Sequence, residues 1–431
     1  MLIAALGFAF AFVLIFLRVP IAIAMGVTGF IGFGYLVGWR QSATMLALIT
    51  RDSTMAYAMV VIPLFILMGN LVAGTGVSRE IYRAAQSFLG GRRGGLAFAT
   101  VMASGGFASI CGSSVATVVT MGKVAMPSMR HFGYGDGIST ASIAAGATLG
   151  ILIPPSVLLV IYGIITETHI GKLYAAGLVP GLIGVIGYLA AVRWVVMRRP
   201  SSAPAAVRAP WSERIDALSG IWAAVALFVM VIGGIYSGIF TATEAAGFGA
   251  FGAFVIALAR RRLSLEQLYT ILLDSARTSA ILFALIIGAA LFTEFLNYSG
   301  AHDALLSFVT ESGFSPFTVI LVICVIYILL GMLMESMSMI LLTVPLFFPV
   351  VVGLGFDPVW FGILLVVLCE LGLITPPIGV NLFVMRSVAP DVPIATIMRG
   401  VVPFISADLV RVLLIASFPA ISLYLPSLLF N

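Results

Sequence analysis

The sequence predicts an all-α polytopic membrane protein made of two inverted repeats, each with a re-entrant helical hairpin and a Pro-Pro-broken transmembrane helix. Three observations carry this. Of the 431 residues, 61% are hydrophobic and only 9% charged, where soluble domains carry about a quarter charged residues. Ten apolar runs, at about 2–17, 20–38, 57–73, 137–166, 172–196, 217–238, 243–259, 278–297, 358–385 and 400–427, have the length and character of membrane spans. "LGILIPP" at 149–155 stands 222 positions before "LGLITPP" at 371–377.

The first run, "MLIAALGFAFAFVLIFLR", has no basic start and no small-residue cleavage site, so it reads as a span rather than a removed signal. The glycines of "GVTGFIGFGYLVG" (26–38) and "GFGAFGAF" (247–254) suit close helix packing. The segments near 41–55 and 263–277 have mixed polar and apolar faces and are expected as arms in the interface. Two further segments, about 94–129 and 316–352, are apolar with polar, small-residue centres. Each is either a pair of spans or a re-entrant hairpin.

A basic, Pro/Ala-rich stretch, "MRRPSSAPAAVRAPWSER", opens a linker over 197–216 and divides the chain into 1–196 and 217–431. The halves align at the constant offset of 222. Pro127 falls on Pro349, Gly133 on Gly355 and Ser114 on Ser336. Ser42, Leu46, Ile49, Asp52 and Ser53 fall on Ser264, Leu268, Ile271, Asp274 and Ser275.

Basic residues orient the halves. Arg193, Arg198, Arg199, Arg208 and Arg214 place the linker in the cytoplasm. Arg260, Arg261 and Arg262 return to that side two spans later. Counting back puts Arg79, Arg83, Arg92, Arg93 and Arg130 inside and the N-terminus outside. Counting forward puts 298–315, which has no Lys or Arg, outside, Arg386 and Arg399 inside, and the C-terminus outside. The count holds only if 94–129 and 316–352 each enter and leave on one side. Charge does not separate a hairpin from two full spans. Arms of about 15 residues, short of the roughly 20 that a span needs, favour hairpins. The first hairpin then enters from the cytoplasm and the second from outside. Inverted repeats with discontinuous helices are the build of secondary transporters.

The chemistry gathers at the breaks and tips. Pro154 and Pro155 are expected to leave the carbonyls of Gly150 and Ile151 without helical donors, and Pro376 and Pro377 those of Gly372 and Leu373. Free carbonyls at mid-membrane suit a small cation, and the half-helix starting after each break offers N–H groups to an anion. Ser156, Thr375 and Asn381 add side-chain ligands. The tip "CGSSVAT" (111–117) and its counterpart "MESMSM" (334–339), with Glu335, Ser336 and Ser338, offer hydroxyl and carbonyl oxygens to a hard cation. Glu335 is ionisable near the membrane interior, hence a candidate to balance a cation or carry a proton. Lys123 either pairs with it or snorkels to the cytoplasmic face. Asp408 and Arg411, three apart, are expected to pair within the scaffold.

Other chemistries are excluded. The net charge of +5 is scattered between apolar runs, not gathered into a nucleic-acid footprint. Cys111, Cys324 and Cys369 lie in apolar segments and suggest no disulfide framework. There is no GxxxxGK[ST], no HExxH and no GxSxG. The chain is not expected to be an enzyme.

"GSSVATVVTMGKVAMPSMRHFGY", "LGILIPPSVLLVIYG" and "LGLITPPIGVNLFVM" resemble the large membrane subunit of tripartite ATP-independent periplasmic (TRAP) transporters, over essentially the whole chain. The resemblance implies an elevator-type ion-transporter-superfamily fold in a bacterial inner membrane, importing an organic acid such as a C4-dicarboxylate or sialic acid with Na⁺. It implies a transport domain, about 88–166 plus 311–387, sliding against the remaining spans. It implies two partners, a periplasmic substrate-binding protein and a small four-span membrane subunit, here expected as a separate polypeptide. Carried over by position, one Na⁺ site comprises Gly112, Ser113, Ser114 and Thr117 with the Gly150 carbonyl. The other comprises Glu335, Ser336 and Ser338 with Gly372 to Thr375. Substrate would meet Ser114, Pro154, Pro155, Ser156, Pro376, Pro377 and Asn381. Related carboxylate transporters that work alone carry Ser-Asn-Thr at the first tip; this tip has no Asn. Such a self-sufficient anion transporter is the rival reading, and a channel or structural membrane subunit the third.

Overall fold

The computed structural model describes residues 2–261 and 263–430; Arg262, one of the arginines assigned to the cytoplasmic face, lies outside the described residues. All regular structure among them is helical. The first repeat opens with α1 (Leu2–Phe16) and α2 (Ile21–Leu36), and an arm, α3 (Trp39–Met55), leads to α4 (Val61–Gly74). The amphipathic α5 (Val77–Leu89) feeds the hairpin α6 (Gly95–Cys111) and α7 (Ser114–His131). The broken helix is α8 (Asp136–Gly146) and α9 (Val157–Ile165), and α10 (Ile170–Arg198) closes the repeat.

The second repeat begins with α11 (Trp211–Gly220), α12 (Trp222–Phe228) and α13 (Gly234–Tyr236), then α14 (Ala242–Ala259), the long α15 (Leu265–Tyr298) and α16 (Ala301–Glu311). Its hairpin is α17 (Pro316–Gly331) and α18 (Ser336–Gly353), and its broken helix α19 (Pro358–Ile374) and α20 (Val380–Val388). Helices α21 (Ile394–Ser417) and α22 (Ala420–Leu429) end the chain. The offset of 222 runs through the helices. Thus α7 and α18 start at Ser114 and Ser336, and each is followed by a left-handed glycine, Gly133 (φ 75) and Gly355 (φ 87), the residue type that ends a helix without steric cost.

Among the described residues, six helices are long and apolar enough to cross a bilayer unaided, and the pair α11 with α12–α13, bent by 44°, makes a seventh. The other predicted spans are shorter apolar helices or cross in two pieces. One of the six is α18, with 18 residues. Arm length therefore does not identify the second hairpin, contrary to the sequence expectation; the position of the tips does, as shown below.

Three boundaries differ from expectation. The arm at 41–55 is a separate helix, but that at 263–277 is the first half of α15. Pro63, near the start of α4, has Leu285 as its counterpart, so nothing interrupts the second copy. The run 400–427 is two helices, broken where Phe418 takes extended backbone (φ −128, ψ 79) before Pro419. The loop 298–315 contains α16.

The glycine-rich spans pack as predicted. A Cβ on Gly29 would lie 2.4 Å from the Leu291 carbonyl carbon, and one on Gly288 would lie 2.2 Å from the Ala22 oxygen, so α2 and α15 touch through backbone. The loops that charge assigns to one side also meet at one end of the molecule. Linker residues Ala203 and Ala206 bond to the α5–α6 turn, and Ser202 to Gly135 before α8. Arg83 reaches Asp216 at 2.9 Å, and Arg260 engages Glu80. Arg130 bridges Asp136 at 3.1 Å and Asp391 at 2.5 Å.

Candidate functional site

The first hairpin turns on two residues. Gly112 takes φ 69, where glycine is favoured. Ser113 caps α7, its hydroxyl accepting from Ala116 N–H at 3.3 Å and its carbonyl from the Thr117 hydroxyl at 2.8 Å. Ser114 is buried. Its oxygen accepts from the Asn381 side-chain amide at 2.7 Å, and that amide also donates to the Ala144 carbonyl in α8 at 3.0 Å. Asn381 is fully buried, and its side-chain oxygen has no partner among the described residues. The first tip is thus held by the second broken helix, just past its break. A hairpin ending at mid-span does this; a full span would carry the tip to the far surface.

At the second tip, Glu335 caps α18 and accepts from Ser338 N–H at 3.4 Å. Its side chain lies at the exposed edge of the tip, and Lys123 is exposed as well. The two form no salt bridge, so of the two expectations for Lys123 only the exposed one stands. Ser336 and Ser338 are buried, and the Ser336 hydroxyl has no partner among the described residues. Gly379 N–H donates to the Met332 carbonyl at 3.4 Å and ties this tip to the second break.

Each break also packs against its own hairpin. A Cβ on Gly150 would lie 2.1 Å from that of Ala108 in α6, and one on Gly372 would lie 2.6 Å from the Gly331 Cα in α17. Four carbonyls are predicted to be free, and two are not. The Ser156 hydroxyl donates to Ile151 while capping α9 through Leu159 N–H at 3.2 Å. Gly372 accepts from Thr375 N–H at 3.2 Å, and the Thr375 hydroxyl donates to Leu371 at 2.5 Å. Local donors re-satisfy what the prolines release, as a low-dielectric interior demands. Gly150 and Leu373 keep carbonyls without a donor among the described residues.

The breaks differ in access. Pro154, Pro155 and Ser156 are buried, whereas Pro377 and Ile378 are exposed. The N-terminus of α9 is capped by Ser156, but that of α20 follows Gly379 (φ 56) and has no side-chain cap. The start of α20, uncapped and next to the exposed Pro377 and Ile378, is therefore the better candidate of the two for an anion.

Beside the breaks lies a buried polar cluster that the sequence reveals in part. Asp408 and Arg411 pair at 2.9 Å, as predicted. A third member, Glu370 of α19, contacts the Arg411 guanidinium. The Tyr188 hydroxyl donates to Asp408 at 2.5 Å and meets the Thr148 hydroxyl at 3.1 Å. All five residues are at most 1% exposed. The available signal was Glu370 itself, a lone carboxylate in the apolar run "LLVVLCELGLI".

The fold and these motifs have relatives. The family model described as "Tripartite ATP-independent periplasmic transporter, DctM component" matches residues 8–421. The C4-dicarboxylate TRAP transporter large permease protein DctM of Pseudomonas aeruginosa is 38% identical over 90% of each chain. The sialic acid large permease SiaM of Vibrio cholerae is 32% identical over 86% of this chain and 87% of its own. The ectoine large permease TeaC of Halomonas elongata is 30% identical over 97% of each. The crystal structure of the Alcanivorax borkumensis YdaH transporter matches 89% of each chain with a TM-score of 0.60 at 17% identity, which extends the likeness of fold beyond close relatives. With a buried hairpin tip locked to a Pro-Pro-broken span and a family match across nearly its whole length, this chain belongs to the large permease (DctM) component family of the tripartite ATP-independent periplasmic transporters.

Proposed function

We propose that the chain is the Na⁺-coupled transport subunit that imports a carboxylate delivered by a periplasmic binding protein, in complex with a small membrane subunit. The observation that carries this reading is the doubled site: two buried, hydroxyl-rich tips, each packed against a broken helix that keeps one carbonyl without a donor. Gly112, Ser113, Ser114, Thr117 and Gly150 would supply one Na⁺ site. Glu335, Ser336, Ser338, Gly372 and Thr375 would supply the other, with the Leu373 carbonyl a better ligand than that of Gly372, which already accepts from Thr375. The α20 N-terminus beyond Pro376 and Pro377, with Asn381 behind it, would take the substrate carboxylate. The named substrates of the relatives are dicarboxylates, sialic acid and ectoine, all of which bear a carboxylate.

In an elevator motion the breaks and hairpins move together. Segments 88–166 and 311–387 would form this body, and the buried cluster argues that α10 and α21 travel with it. Pulling Arg411 away from Glu370 would strand a buried charge, at about 3–5 kcal/mol. The test is uptake by proteoliposomes holding both membrane subunits, with candidate binding proteins outside. Uptake should require the cognate binding protein and an inward Na⁺ gradient. Robust uptake by this chain alone would favour the self-sufficient transporter, and uptake indifferent to Na⁺ would reject the coupling.

A further inference from the structure

We propose that Thr148, Tyr188, Asp408, Arg411 and Glu370 form a positioning strut between the two broken helices, so that cation binding at one break is felt at the other. The inference rests on the Na⁺ reading above. Thr148 and Glu370 are equivalent residues of the two repeats, 222 positions apart, and each stands two residues before its break glycine, Gly150 or Gly372. They are joined by a continuous polar chain. It runs from the Thr148 hydroxyl, whose single proton is shared between Tyr188 at 3.1 Å and the Ala145 carbonyl at 2.8 Å, to Tyr188, on to Asp408 at 2.5 Å, then to Arg411 at 2.9 Å and finally to Glu370.

The connecting side chains come from α10 and α21, the helices that follow the two breaks. The backbone is shaped to admit them: a Cβ on Gly184 of α10 would lie 2.0 Å from an Arg411 guanidinium nitrogen. The same Cβ would lie 2.9 Å from a Leu149 methyl carbon, so Arg411 of the second repeat and the first break pack against one spot on α10.

Stability alone does not account for these groups. Apolar residues of similar volume commonly stabilise a protein as well as, or better than, a buried ion pair, and ionisable groups at this depth are costly. What a hydrogen-bonded chain adds is fixed distance. A shift of Thr148 moves the Gly150 carbonyl, which has no donor among the described residues, and a shift of Glu370 moves the carbonyls at Gly372 and Leu373. The strut residues touch neither ion. They set where the carbonyls of both sites stand.

The test uses the complex of this chain with its small subunit, carrying Tyr188→Phe or Thr148→Val. Each substitution opens the chain by removing one hydroxyl. Two readouts are taken: the Na⁺-dependent rise in melting temperature, against K⁺ at equal ionic strength, and the Na⁺ dependence of uptake. The wild type should respond to Na⁺ with a Hill slope above one. Both variants should need at least threefold more Na⁺ for half-saturation, with the slope falling toward one and uptake at saturating Na⁺ preserved. A wild type indifferent to Na⁺ overturns the Na⁺ reading and this inference with it. A responsive wild type matched by both variants in midpoint and slope overturns the inference alone. So does a lowered melting temperature with an unchanged Na⁺ midpoint, which would mark the chain as structural only. If Tyr188→Phe does not fold, the smaller change Thr148→Val decides.

Discussion

Asn381 stands out in the sequence as a polar side chain just past the second break, and it reads there as a substrate ligand. What the sequence does not reveal is its partner, because Ser114 lies 267 residues away. Through that bond Asn381 holds the first hairpin tip in place, while its side-chain oxygen is left without a partner among the described residues. Asn381→Ala would strand the Ala144 carbonyl and the Ser114 hydroxyl in a buried place, at about 1–3 kcal/mol. We expect a lower melting temperature, and a transport rate at least tenfold lower even at high Na⁺. Transport at the wild-type rate would show that the bond is dispensable. The break glycines make a second residue-scale prediction. Gly150→Ala and Gly372→Ala drive a methyl into the facing hairpin, and overpacking of this kind costs about 1–3 kcal/mol. Both should lower the melting temperature of the detergent-solubilised protein. Gly187→Ala, whose Cβ would sit at an ordinary 3.5 Å from Ala407, should not. Glu370 was legible as a lone charge among apolar residues, but its role was not, since its partner Arg411 comes from another helix.

Helix elements were legible where proline or glycine punctuates them. The two Pro-Pro breaks, the hairpin ends at Gly133 and Gly355 and the linker were all marked in this way. The arms show the limit. Similar amphipathic segments give a separate α3 and a continuous α15, and the difference turns on Pro63 against Leu285. Arm length misled at α18, which is long enough to span, because a re-entrant arm buried in protein can extend as far as its packing allows. The tips decide the matter, and they set an element-scale prediction. Single cysteines replacing Arg92, before α6, and Gly313, before α17, should label from opposite sides of the membrane, 92 from the cytoplasm and 313 from outside. The native Cys111, Cys324 and Cys369 are all buried, so background reaction should be low. Labelling of both sites from one side would reject the inverted arrangement.

At the scale of the molecule, inversion follows from counting. Each repeat crosses with five units, namely α1, α2, α4, α8–α9 and α10 in the first, and an odd number leaves the second repeat facing the other way. Two copies of one tip-and-break arrangement then approach mid-membrane from opposite sides, which suits the alternating exposure of the proposed import cycle. On the proposed coupling, a tenfold Na⁺ gradient contributes about 1.4 kcal/mol per ion. An inside-negative potential of 100 mV contributes about 2.3 kcal/mol for each net positive charge moved. Two or more Na⁺ with one monocarboxylate carry net positive charge inward, so both terms drive accumulation. With the cognate binding protein present and Na⁺ held constant, a K⁺-diffusion potential, negative inside, should therefore raise the initial uptake rate severalfold, and reversing its sign should lower it. A rate unmoved by voltage would mean an electroneutral cycle, with Na⁺ ions equal in number to the substrate's negative charges. Uptake that follows an imposed proton gradient and ignores Na⁺ would pass the coupling role to a carboxyl group, with the exposed Glu335 at the second tip as the first residue to replace.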